Sequence, residues 1–456
     1  MPSLTLLSIG LLPLAYVIWL VIRFGFAEAL SLRCAGVVSS WIGYQLSPWM
    51  YYLTGEKWDK FLLVPRYIDT GLLFATLASV LFLVGYSRAF GPQLARLRAR
   101  SKTAQQIAIK PQIVLALSAL VLSAGIMSVG GIDNYWSATL PRGAGQFDER
   151  DATGSLIQVV SVLELPLTIG LTISSTLLML QRRPTRYGVA LGITGLLIAS
   201  LHEVYFFSRT AGYPLVIFAF LALRVRGLRT IFLATTATLI ALFMGSVGLN
   251  YRTAYHPGIR NYIEAAATSI AQTVDVTESS RVSKPFMNPF DAIAPFTRVV
   301  VASRGQDQQQ SLLALKLLWN LNPLPAELLP QFEIGQNLAI VMGTWGSTGI
   351  TTPAFAQLYL VGGYFGSIGM LFVGLTCGWF EKRSILRPSA LTLLNVTLLF
   401  SGFPISLHNS VRAMTRPFVY GLALALVARG AHMRRRLVSG EPLGEQQPEV
   451  HSRGGP

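Results

Sequence analysis

The sequence runs to 456 residues, 52% of them hydrophobic and 13% charged, with a formal net charge of +16. Apolar runs of about twenty residues recur from Leu4 to Ala428, each able to cross roughly 30 Å of hydrocarbon, which excludes a soluble globular class and indicates a polytopic membrane protein. No stretch between the runs is long enough to fold as a separate catalytic domain, so any chemistry belongs to the bundle or its loops.

The first run, SLTLLSIGLLPLAYVIWLVI, lacks a basic region before it and is followed by Arg23. That charge placement predicts a retained first helix starting outside and ending inside, rather than a signal peptide cleaved near FAEAL. Further helices are expected near 34–53, 67–87, 111–130, 155–180, 187–207, 210–223, 230–249, 353–380, 389–407 and 417–429. With 4–22 they make an all-α, polytopic integral membrane helix bundle of about eleven spans. RAFGPQLARLRARSK, QRRPTR, RVRGLR, EKRSILR and ARGAHMRRR then all fall on one side, which the positive-inside rule makes cytoplasmic. Set in short loops beside the membrane, these basic residues determine topology and meet anionic lipid heads, so the positive balance needs no nucleic acid.

The opposite face receives GIDNYWSATLPRGAGQFDERDATG, the HEVYFFSRT turn, the long segment 250–352 and SLHNSVRAMTR. A loop as long as 250–352 is functional or disordered, and its apolar pieces PFMNPFDAIAPFTRVVVA and SLLALKLLWNLNPLPAELLP argue for order. We expect a large extracytoplasmic loop forming a re-entrant or surface-lying lid. The chain reads as one transmembrane domain, 1–436, that includes this lid, followed by a polar, Gly- and Pro-rich cytoplasmic tail, 437–456, expected to be disordered.

Cys34 and Cys377 have no Cys-x-x-Cys or Cys/His spacing, which leaves neither a disulfide framework nor a thiolate metal site. The outer acidic residues Asp133, Asp148, Glu149, Asp151, Asp275, Glu278 and Asp291 are dispersed, with no Asp-x-Asp pair to hold a divalent ion. No phosphate-cradling Gly-x-x-x-x-Gly-Lys loop is present either. We therefore expect no metal and no cofactor.

Arginines gather on the outer side against the positive-inside tendency: Arg209, Arg252, Arg298, Arg304, Arg412 and Arg416, with Arg260 and Arg281 readable as ordinary surface residues. Arg209, Arg252, Arg412 and Arg416 abut span ends, and a guanidinium beside hydrocarbon pairs with something anionic or snorkels to a lipid head. The partner is a carboxylate such as Glu203 or a substrate phosphate gripped in bidentate fashion. His202, His256 and His408 lie at outer span ends near Arg209, Arg252 and Arg412. Each can act as a general base for a sugar hydroxyl or simply hydrogen-bond between helices. Glu203 can orient such a base or pair with Arg209.

The segment TWGSTGITTPAFAQLYLVGGYFGSIGMLFVGLTCGWFEKR, 344–383, resembles the late segment of bacterial Wzy-type O-antigen and oligosaccharide repeat-unit polymerases through Thr348, Pro353, Tyr359, Phe365, Gly366, Gly369 and Gly374. FSRTAGYPLVIFAFLAL, 207–223, is similar to that family's Ser-Arg start of a middle span, and only Arg209 carries over firmly as a substrate-binding residue. The resemblance implies transfer of a polyprenyl-diphosphate-linked oligosaccharide onto another lipid-linked repeat unit, at the periplasmic face of the bacterial inner membrane. Tyr359 becomes a further candidate for substrate contact. Arginines would neutralise the departing diphosphate and a histidine or carboxylate would take the acceptor proton. A chain-length regulator and a flippase are the protein partners it implies, besides membrane lipids. O-antigen ligases share the layout and donor, but the match at 344–383 is closer to the polymerases. A transporter or flippase would want ionisable residues near mid-span, where only Glu164 stands.

Overall fold

The computed structural model describes residues 3–54, 65–91, 109–138, 155–181, 183–205, 209–251, 255–274, 292–293, 296–297, 300, 354–386 and 389–408. Among these residues the chain is all-helical, without strands. α1 (Leu4–Phe24) is followed by a one-turn helix (Phe26–Ala29), α2 (Leu32–Trp41), a π turn (Ile42–Leu46) and α3 (Ser47–Thr54). Then come α4 (Pro65–Phe90), α5 (Pro111–Ser128), the short α6 (Ile132–Trp136), α7 (Ser155–Met179) and α8 (Arg186–Tyr205). A 3-10 turn (Arg209–Gly212) leads into α9 (Tyr213–Arg226), and a second (Gly227–Thr230) into α10 (Ile231–Tyr251) and α11 (Ile259–Val274). Last are α12 (Ala354–Gly362), a 3-10 turn (Gly363–Ser367), α13 (Ile368–Leu386) and α14 (Ala390–His408).

Local chemistry fixes several boundaries. The Ser31 hydroxyl accepts the Cys34 N–H at 3.0 Å and caps α2, while Pro111 opens α5, where its missing N–H costs nothing. Gly227, at φ 65°, ends α9. The chain reverses there, and Ala219, Ala222, Ala234 and Ala237 pack together as the small-residue seam of an α9–α10 hairpin.

Among the described residues, six stretches are long and apolar enough to cross a membrane: Leu4–Phe24, Tyr67–Phe90, Pro111–Ser128, Arg186–Tyr205, Tyr213–Gly248 and Gly363–Leu386. Tyr213–Gly248 holds the α9–α10 hairpin, whereas the expected span 417–429 lies outside the described residues. The expected single span 353–380 is divided: Gly363 adopts φ 54° and the chain folds so sharply that a Cβ at Gly366 would lie 1.9 Å from the Leu358 carbonyl oxygen. α12, nine residues long, spans only about 14 Å and does not cross hydrocarbon by itself.

α4 and α13 form the closest helix pair. A Cβ at Gly85 would lie 2.1 Å from the Leu371 carbonyl oxygen, one at Gly374 2.1 Å from that of Phe82, and one at Gly378 2.7 Å from that of Tyr86. From Gly374, set between Phe82 and Tyr86, to Gly378, set between Tyr86 and Phe90, the contacts advance four residues along both helices, so the two run parallel with backbones nearly touching. α1 and α2 flank α4, with Gln45 from the π turn seated over Gly10 and donating to the Thr76 hydroxyl at 3.1 Å. α5, α7, α8, α9 and α10 form a second group, joined to the first where Phe220 of α9 stacks on Phe400 of α14 at 3.9 Å.

Part of the long segment is packed inside. Ala292, Ile293, Phe296, Thr297 and Val300 are buried; the Ala292 N–H donates to the Gly43 carbonyl at 2.9 Å, and Phe296 meets Tyr44, Phe74 and Tyr359. The amphipathic piece SLLALKLLWNLNPLPAELLP and the tail 437–456 lie outside the described residues.

Helix ends sort into two sets. At one, Glu381 is fully buried and accepts from the Tyr86 hydroxyl (2.6 Å) and the Leu32 N–H (2.9 Å), with Arg224 at 3.6 Å. Arg33 lies over the Tyr86 ring and pairs with buried Glu28, while Gln181 donates to the Ile109 carbonyl and accepts from Arg226. EKRSILR and RVRGLR, expected as loops, thus begin inside helices, and their first charges are drawn into a buried ionic knot because each has a partner there. Arg66, Arg209 and Arg260 sit at the other end, where the Ser3 N–H donates to Asp69 at 2.8 Å.

Candidate functional site

The buried face of α8 is written in small residues: Gly188, Gly192, Gly195 and Ala199 recur at steps of four and three, which stacks them on one side of a helix. α7 comes close enough for the Ser175 hydroxyl to occupy the space of a Cβ at Gly195. The next position on that face is His202. Its imidazole is buried, lodged against Gly125 of α5, where a Cβ would lie 2.7 Å from Nδ1.

Tyr135 closes the other side of the imidazole. The turn Gly130–Gly131 starts α6, which delivers the Tyr135 hydroxyl to 3.3 Å from His202 Nδ1. The Tyr135 ring stacks on Tyr205 at 5.3 Å and 15°. Burial first, and then the negative fields of Glu164 and Glu203, push its phenol well above the usual tyrosine range, so it stays neutral. A phenol donating to Nδ1 leaves the proton on Nε2, whereas an Nδ1–H donating to the phenol oxygen leaves Nε2 unprotonated. Only the second arrangement makes Nε2 a base.

The beginning of α11 is clamped over this end. The Gly258 N–H donates to the Tyr205 carbonyl at 3.2 Å, and the Ala138 N–H to the Pro257 carbonyl at 3.0 Å. Gly258, at φ 136°, brings its backbone so close to Trp136 that a Cβ would lie 2.9 Å from that residue's carbonyl oxygen. His256, just before the clamp, is exposed, and its carbonyl accepts from Asn261 Nδ2 at 3.1 Å. Tyr262 is buried and donates to the Met244 carbonyl of α10.

His202, half-buried Glu203, the backbone turn that Arg209 opens and His256 are therefore gathered at one end of the second helix group. Gly212 wedges that turn against α10, since a Cβ there would lie 2.2 Å from the Ala241 carbonyl oxygen. Tyr359 belongs elsewhere: its ring packs on Phe74, Phe296 and Tyr364, within the first helix group. His408 is the last residue of α14, and its side chain, like that of Arg209, lies outside the described part of the structure. Arg252, Arg298, Arg304, Arg412 and Arg416 lie outside the described residues altogether.

Tyr135 was not singled out by sequence, although Gly-Gly before an aromatic pair signals a tight turn that re-aims a ring. Among the described residues, no three His, Cys, Asp or Glu side chains come together as a metal site would require. No protein-family model, curated protein or solved structure matches this chain.

Proposed function

We propose that the protein is a glycosyltransferase of the bacterial inner membrane, acting at its periplasmic face on a polyprenyl-diphosphate-linked oligosaccharide. The observation that supports it best is the grouping of buried His202, neutral Tyr135 and Glu203 at the helix end next to the turn that starts at Arg209. In this reading the acceptor sugar hydroxyl loses its proton to His202 Nε2 or to Glu203 as its oxygen bonds the donor's anomeric carbon. The bond from that carbon to the diphosphate breaks, and the polyprenyl diphosphate leaves with its charge met by arginine. His202 becomes accessible only if α6 or α11 shifts, while Glu203 stands nearer the surface. The resemblance at 344–383 favours a second lipid-linked repeat unit as acceptor over a lipid A core.

A lipid-linked-sugar transporter is the second reading, and two observations favour it. α12 and α13 make a broken helix, a device transporters use at substrate sites. The buried hydroxyls of Thr168, Thr172 and Thr176 also form a polar column along α7 from Glu164, each donating four residues back at 2.7–2.9 Å. Mass analysis of lipid-linked glycans from cells with and without the gene separates the cases. Loss of a polymerase leaves single repeat units outside, loss of a ligase leaves long chains on the carrier, and loss of a flippase traps repeat units inside. Trapped units would overturn the transferase reading.

A further inference from the structure

α11 carries three kinds of surface around its axis. Ile259, Tyr262 and Ala265 are buried against the ends of α8 and α10, and Arg260 and Glu264 form an exposed ion pair at 3.0 Å. Ile263 and Ile270, seven residues apart and so on one line of the helix, are 54% and 55% exposed. Two exposed isoleucines in line, flanked by a charged strip, have the pattern of a helix lying in the plane of a bilayer surface.

Depth is set by what the buried side reaches. The Tyr262 hydroxyl bonds the Met244 carbonyl, and Met244 lies within Tyr213–Gly248, a stretch apolar enough to sit in hydrocarbon. α11 therefore packs alongside the last turns of α10 rather than standing clear of them. Leu197 and Leu201 of α8 and Leu239 and Ile240 of α10 are exposed as well, so the two spans that α11 packs against also present large apolar side chains outward. Water around Ile263 and Ile270 at that level would expose a patch that the neighbouring spans otherwise give to lipid.

We infer that α11 is an interfacial helix half-sunk in the outer leaflet, with a glycerophospholipid surface as the partner of its Ile263–Ile270 line. Its buried start packs with Tyr135 and Tyr205, so the helix holds the His202 cluster at the depth of lipid headgroups. There a lipid-anchored diphosphate would present its reacting end without leaving the membrane. This last consequence rests on the glycosyl-transfer reading, whereas the depth of α11 does not.

The test measures depth without activity. An environment-sensitive fluorophore is attached to Ile263→Cys, Ile270→Cys or Glu264→Cys in a full-length chain with Cys34→Ala and Cys377→Ala. Each protein is placed in phosphatidylethanolamine–phosphatidylglycerol vesicles carrying a nitroxide either near the headgroup or near the acyl-chain end. The two isoleucine sites should emit to the blue, lose most of their signal to the shallow nitroxide and little to the deep one, and resist aqueous iodide. Glu264→Cys should stay iodide-accessible. Iodide quenching at Ile263→Cys equal to that at Glu264→Cys would overturn the inference by showing a wet surface. Protection from both iodide and nitroxide lipid would overturn it by showing a protein cover.

Discussion

Tyr135 shows how one hydroxyl governs a neighbour. Tyr135→Phe keeps the ring stack on Tyr205 and removes the oxygen 3.3 Å from His202 Nδ1, which should cost about 0.5–1.5 kcal/mol of stability at neutral pH. The pH dependence has a definite sign. A phenol whose folded pKa is raised contributes stability that is complete below its unfolded value, about 10, and is lost as pH rises above that. The melting-temperature gap between wild type and Tyr135→Phe in detergent should therefore shrink above about pH 10, and a gap that widens would contradict a buried neutral phenol. Arg209 tests the site from the substrate side. Under the proposed function, Arg209→Lys keeps the charge but loses the planar two-toothed grip worth about 1.5–3 kcal/mol, so glycan extension at matched membrane levels should fall roughly ten- to a hundredfold. If Arg209 only pairs with Glu203, the glycan ladder stays normal.

Glycines decide the packing between elements. Gly374→Ala forces a Cβ to 2.1 Å from the Phe82 carbonyl oxygen, and backbone there has nowhere to move, so a loss of about 1–3 kcal/mol is expected. Gly369→Ala meets only the Leu358 side chain at 3.4 Å and should be nearly silent. Comparing the two melting temperatures checks the α4–α13 seam, and equal effects would discount it. Within the described residues the main apolar helices were legible in the sequence, because a long apolar run between polar boundaries satisfies its backbone only as a helix. The break at Gly363 was not, since Gly-Gly inside an apolar run also suits straight, closely packed helices. The π turn at Ile42–Leu46 was equally hidden: nothing in IGYQL opposes a regular helix, and the turn follows from burying Gly43, Tyr44 and Gln45 together. At the site, His202 and Glu203 stood out as rare polar residues at an apolar boundary. Tyr135 did not, because its importance arises from a fold-back that brings α6 across to α8. The burial of Glu381 was misread for a similar reason, its partners being Tyr86, Leu32 and Arg224 on three other helices.

For the molecule as a whole, the two sets of helix ends give one orientation to test. Asp133→Cys at the start of α6 and Arg229→Cys in the α9–α10 turn are both exposed and lie at opposite ends. An impermeant thiol reagent should label the first in intact spheroplasts and the second only after permeabilisation, and the reverse would invert the assignment. The knot at Glu381 bears on how the molecule can move. One carboxylate ties α2, α4, α9 and α13, and pulling Arg224 from it would strand a charge in a low-dielectric interior at a cost of about 3–5 kcal/mol. No comparable buried ion pair ties α6 and α11 to the helix ends among the described residues. Glu381 is thus the point where four helices share one charge, and Glu381→Gln, which weakens all of those ties at once, should loosen α2, α4, α9 and α13 together rather than one at a time.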